Sequence, residues 1–195
     1  MIDTNDVIAF FDRLAPDWDA EMIRSDAVIG SILDRAGVGP GKRVLDVAAG
    51  TGVLIPDYLA RDVESVTAID ISPEMVRIAR EKFPQAKVSI FCGDAETADF
   101  EGLFDCVVVY NAFPHFPEPE RLIRRLAALL APGGRLTVAH GMSREKIDAH
   151  HRGAARLVSN GLMPAEELAA LFGRFLRVTD VISDERMYQV VGEKE

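Results

Sequence analysis

The chain has 195 residues, 48% of them hydrophobic, and 22 Lys+Arg against 31 Asp+Glu give a formal charge of −9. That length and apolar content suit a single domain with a substantial core, and an acidic balance without a basic cluster argues against nucleic acid and anionic membrane as partners. No apolar run approaches the ~18 residues of a membrane span, and the acidic, interrupted start MIDTNDVIAFFDRLAPDWD does not read as a signal peptide, so a cytoplasmic location is expected.

The pattern then alternates. Residues 5–15 and 20–36 carry apolar positions at helical spacing, split by Pro16. A strand at Arg43–Ala48 leads into a glycine loop and a helix over Val53–Leu59. A second strand, Ser65–Ile71, precedes a helix that Ser72 caps and Pro73 opens, running to about Lys82. A third strand spans Ala86–Cys92, and a fourth, Phe104–Tyr110, is almost continuously apolar, as a strand covered on both faces should be. A helix over Pro119–Leu130 is closed by a Pro-Gly-Gly turn at 132–134, and Arg135–His140 is a fifth strand. Beyond it come a helix at Ser143–Val158, another from Met163 to about Phe172, and two strand-like runs, Leu176–Ile182 and Met187–Val191, joined tightly enough to pair antiparallel. The alternation argues for a parallel α/β sheet with helices on both faces and an antiparallel edge pair. Cys92 and Cys106 lie in or beside apolar strands and are read as reduced core thiols.

The loop VLDVAAGTG (Val44–Gly52) invites three readings. A phosphate-binding P-loop needs a terminal Gly-Lys-Ser/Thr, which is absent. A dinucleotide fingerprint from Gly50 places its third glycine at Ile55, too large for close helix–strand packing. The third reading uses Asp46, ahead of the glycines, which would repel phosphate but help to hold an ammonium; the ligand is then an amino acid joined to a nucleoside.

These residues give the chain a resemblance to the class I S-adenosylmethionine-dependent methyltransferases. VLDVAAGTG resembles their first motif, whose loop wraps the methionine part of the cofactor, with Asp46, Ala48, Gly50 and Gly52 in it. Asp70, 24 residues beyond Asp46, matches the acid that binds the ribose hydroxyls, and Ile71 and Met75 would flank the adenine. Gly93, Asp94 and Ala95 resemble the third-strand motif that meets the adenine amino group, and Asn111 matches the position facing the reactive end. LLAPGGRLTVAH resembles the family's helix–turn–strand signature, and FFDRLAPDWD with NAFPHF gives a likeness to the quinone-biosynthesis methyltransferases. The resemblance implies a Rossmann-like doubly wound, mostly parallel seven-stranded sheet with S-adenosylmethionine as cofactor. It also implies one methyltransferase domain over 1–195, with a helical lid at 1–36, a cofactor core at 37–140 and a substrate side at 141–195.

Ligands of open parallel sheets bind beyond the carboxyl ends of the strands, which places His115 and His140 toward a small-molecule methyl acceptor, with His151 as a further candidate base. Phe11, Trp18, Phe113 and Phe116 are the expected acceptor-binding aromatics. His140, His150 and His151 could alternatively hold a metal ion, which would make the chain a metal sensor or carrier on the same scaffold. A catalytically silent, cofactor-binding partner protein is the other alternative. The oligomeric expectation is a monomer or homodimer.

Overall fold

A computed structural model of the chain describes residues 2–151 and 154–195. The elements, in order, are α1 (Thr4–Leu14), α2 (Trp18–Glu21), α3 (Asp26–Arg35), β1 (Arg43–Val47), α4 (Ile55–Ala60), β2 (Ser65–Asp70), α5 (Pro73–Lys82), β3 (Val88–Cys92), β4 (Phe104–Tyr110), α6 (Pro119–Ala128), β5 (Leu130–His140), α7 (Arg144–His151), α8 (Ala165–Phe172), β6 (Arg177–Ser183) and β7 (Tyr188–Glu193). The seven strands form one sheet in the order β3-β2-β1-β4-β5-β7-β6. β1 to β5 run parallel, and β7 is inserted antiparallel between β5 and β6. This is the mostly parallel sheet with an antiparallel C-terminal pair that the alternation implied, in the Rossmann-like, seven-stranded form that the resemblance implied. Among the described residues no helix is long and apolar enough to cross a membrane.

The period of two along the central strands assigns their faces. Leu45, Val47, Val107 and Val109 point into one core with α6 and α8, while Val44, Cys106 and Val108 point into another with α3 and α4. Both cores are needed because β4 exposes apolar side chains on each side. Helix stripes answer them: α6 buries Leu122, Ile123, Leu126 and Ala127 along one face. Burying side chains of this kind contributes roughly 1.5–3 kcal/mol each before the entropy of ordering them is subtracted.

β1 is the hinge of the topology. The chain moves outward on one side through β2 and β3, then crosses to the other side of β1 at β4. A crevice therefore opens between the loops after β1 and β4, where open α/β sheets hold ligands.

Several boundaries differ from the sequence expectation. The helix after the glycine loop starts at Ile55, because residues 51–54 are used in turns. Residues 22–25 are extended, and α3 begins after Ser25. The stretch 143–158 is α7 followed by a 3₁₀ turn at Ala154–Val158, and the residues between these lie outside the described ones. Pro132-Gly133-Gly134 is stitched into β5 rather than closing α6 as a free turn, since Gly133 N–H donates to Lys194 O at 2.8 Å and Lys194 N–H to Gly134 O at 2.9 Å. Cys92 is a correction: it is exposed, because β3 is a sheet edge, whereas Cys106 is a buried core thiol.

Candidate functional site

The glycine loop leaves β1 at Ala48, which adopts a left-handed φ of 56°, as do Gly50 at 57° and Gly52 at 83°. Each of the three needs this conformation to turn the chain back over the strand end. At Gly52 the need is also steric. A β-carbon there would stand 2.7 Å from Phe83 and 2.9 Å from Ile55, so the side chain that excluded a dinucleotide fingerprint packs where a third glycine would leave space. At Gly50 a β-carbon would meet only Trp18 Nε1 at 3.8 Å and Met75 Sδ at 3.9 Å. The backbone at Gly50 is thus open to a close-lying ligand, with Trp18 and Met75 beside it.

Asp70 ends β2 facing this loop. Its carboxylate accepts from Gly50 N–H at 2.7 Å and Ser72 N–H at 2.9 Å. Burial raises its pKa above the usual carboxylate range; the N–H groups of Ser72, Gly50 and Ile71 oppose this, and the charge of Asp12 adds to it. Asp46, on the adjacent strand, is 2% exposed and its pKa is pushed up to about 8 by burial, opposed by the Tyr58 hydroxyl and reinforced by Asp70. A cationic group brought near Asp46 would reverse that shift. Met75 is buried at the start of α5 and Ile71 is half-buried. Gly93 N–H donates to Asp70 O at 2.9 Å, which ties the end of β3 to the end of β2; Asp94 accepts from Glu96 N–H at 2.9 Å, and Ala95 is buried behind it.

Asn111 follows β4 with φ 55°, and its Oδ1 accepts from Gly141 N–H at 3.0 Å, bridging the ends of β4 and β5. Next come Phe113 and Pro114, both buried, and half-buried His115. His115 Nδ1 lies 2.7 Å from Val158 O. A carbonyl only accepts, so Nδ1 carries a hydrogen. Phe11 packs edge-on to this imidazole, with centroids 4.9 Å apart, and edge-on to Trp18 at 5.8 Å. Helix α1 and the loop after β4 therefore meet around His115.

The remaining expected residues are spread differently. His140 is fully buried, edge-on to Tyr188 at 5.9 Å and opposite it in the β5–β7 register. His151 and His150 fall in α7, but their side chains lie outside the described residues, so the three-histidine metal cluster does too. Among the described residues no group of three or more His, Cys, Asp or Glu could hold a metal ion. The four expected acceptor aromatics divide in two. Trp18 lies beside Gly50, and Phe11 packs against Trp18 and His115. Phe113 and Phe116 line a cavity of about 820 Å³ together with Pro114, Arg144, Met163 and Glu167.

Residues with no signal in the sequence complete the site. Asp12 Oδ1 accepts from Ser72 Oγ at 2.5 Å and Glu74 N–H at 3.2 Å. Asp19 accepts from Thr51 Oγ1 and Lys82 Nζ, each at 2.6 Å. Their partners lie 32 to 63 positions away in the chain, so no local pattern could have announced them.

Residues 44–134 match the family model described as a methyltransferase domain. A demethylmenaquinone methyltransferase of Renibacterium salmoninarum is 31% identical over 141 residues, covering 69% of this chain and 58% of that protein. A ubiquinone biosynthesis O-methyltransferase of Xanthomonas campestris pv. campestris is 41% identical over 101 residues, covering 50% of this chain and 42% of that one. The chain thus spans about half the length of these curated relatives. Among solved structures, N-methyltransferase NodS from Bradyrhizobium japonicum in complex with S-adenosyl-L-homocysteine superposes with a TM-score of 0.73 at 16% identity, over 98% of both chains.

Proposed function

We propose that this chain is a class I S-adenosylmethionine-dependent methyltransferase, which transfers a methyl group from S-adenosylmethionine to a small-molecule acceptor. The observation that carries the reading is the meeting of Gly50 N–H and the Asp70 carboxylate, 2.7 Å apart, at the crossing point of the sheet. A glycine backbone with no side chain in the way, tied to a buried acid, fits a nucleoside with an attached amino acid and does not suit a phosphate chain. In this reading Asp46, Ala48, Gly50 and Gly52 hold the methionine end, Asp70 the ribose, and Ile71, Met75, Gly93, Asp94 and Ala95 the adenine. Asn111 faces the reacting end.

When bound, the cofactor supplies an electrophilic methyl group on sulfur. The chain supplies orientation and a base. His115 is the assigned base, because it follows β4 at the carboxyl end of the sheet and Val158 O fixes its ring through Nδ1. His140, fully buried against Tyr188, is not assigned contact with the acceptor, and His151 is kept as a further candidate base. A cavity of about 820 Å³ walled by Phe113, Phe116 and Met163 is of a size for the acceptor's apolar body, while Phe11 and Trp18 are assigned to the acceptor from the N-terminal segment. The names of the two relatives make a quinone-type ring the first acceptor to test.

The test is calorimetry with S-adenosylhomocysteine. A carboxylate accepting from two hydroxyls contributes about 3 kcal/mol, so Asp70→Ala should weaken binding roughly 100-fold. Unchanged affinity would overturn the ribose assignment, and no binding by the wild-type chain would overturn the cofactor.

A further inference from the structure

The N-terminal segment is weakly attached by apolar packing. Of the residues of α1 only Val7 is buried, α2 buries none, and the extended link at 22–25 carries Ile23 with 77% of its surface exposed. An element with so little burial lies at the low-stability end of a fold and opens readily unless polar contacts hold it. Two carboxylates do so. Asp12 grips the N-terminus of α5, accepting from Ser72 Oγ and Glu74 N–H, directly beside Asp70 in the chain. Asp19 grips the glycine loop through Thr51 and is pinned from the far side by Lys82. Burial pushes the Asp19 carboxyl up, but Lys82 and Thr51 outweigh it and hold it below the usual range. The hinge side is separately fixed, with Arg24 bonded to Asp57 of α4 at 2.7 Å.

We infer that Asp12 and Asp19 form a two-point latch that holds the N-terminal segment shut over both ends of the cofactor site, so that cofactor exchange requires the two carboxylates to release. The two grips are distinct in place: Ser72 follows the ribose acid, and Thr51 lies between the two glycines of the methionine loop. The segment that they hold carries Trp18 against Gly50 and Phe11 against His115. Opening the latch would therefore uncover the cofactor loop and the base side in one motion. Asp12 and Asp19 act here as positioning residues, through the lid. The inference rests on the cofactor reading above.

The experiment measures release of labelled S-adenosylhomocysteine into an excess of unlabelled compound, with emission from Trp18, the only tryptophan, as the report on the lid. Asp12→Ala removes charge-assisted bonds and should speed release about tenfold, with red-shifted Trp18 emission. Lys82→Met keeps the aliphatic stem outside the site and removes only the outer ion pair; it should speed release about threefold. That milder variant keeps the test valid if Asp12→Ala unfolds α1. Release and emission unchanged in both variants, or affinity lost through slower association alone, would overturn the latch while leaving the cofactor reading standing. Failure of the wild-type chain to bind the compound would overturn both.

Discussion

Ala48 carries a conformational cost that its neighbours avoid. A non-glycine residue at φ 56° is disfavoured by roughly 1–2 kcal/mol relative to the right-handed region. Its methyl recovers part of this by packing against the core that includes Leu45 and Val47. Ala48→Gly should therefore stabilise the chain by about 0.5–1 kcal/mol in urea unfolding, the relief of φ strain exceeding the added chain entropy of glycine. A loss of stability would mean that the methyl contact outweighs the strain. Gly50 and Gly52 differ from Ala48 in kind: one keeps the backbone open to a ligand, and the other avoids collision with Phe83 and Ile55.

At the scale of the element, β1 places a carboxyl where water cannot reach it. Asp46 shares its strand face with Val44, toward the core that holds Tyr58, and is 2% exposed. With its pKa near 8, the folded chain holds a proton on Asp46 that the unfolded chain loses near pH 4. Between those values the native state binds more protons, so this group makes stability fall as pH rises, by at most about 1.4 kcal/mol per unit, and the loss levels off above pH 8. Asp70, shifted in the same direction, adds to the slope. Asp46→Asn should flatten the pH dependence of unfolding over that window. Binding of a ligand ammonium near Asp46 would release its proton, so S-adenosylhomocysteine affinity should rise with pH up to about 8, with buffer-dependent heats in calorimetry. Heats that do not vary with the buffer would contradict this.

The whole molecule assembles the proposed acceptor side from remote parts of the chain. His115 follows β4, its Nδ1 is held by Val158 beyond α7, and its ring is covered by Phe11 of α1. In such a site His115→Gln should lower kcat by ~10²–10⁴ while leaving the affinity for S-adenosylhomocysteine unchanged. Equal losses in both would assign His115 to holding the loop. The same long-range assembly explains what the sequence left unseen. Asp12 and Ser72 are 60 positions apart and meet only because α1 folds across the N-terminus of α5. His140 reads from sequence as a strand-end residue near a crevice, yet the insertion of β7 beside β5 sets Tyr188 opposite it and buries it. Cys92 reads as apolar core, yet its strand is at the sheet edge.

The sequence by itself determined the alternation of strands and helices, the antiparallel C-terminal pair, and the place of the glycine loop after β1. Those features depend on short-range causes: apolar periodicity, the Ser72 cap and the glycines themselves. Only the tertiary structure decided which histidine ring is fixed through Nδ1, which cysteine is exposed, and how the N-terminal segment is held. Each of these depends on contacts between residues far apart in the chain, and such contacts exist only once the sheet order has brought their elements together.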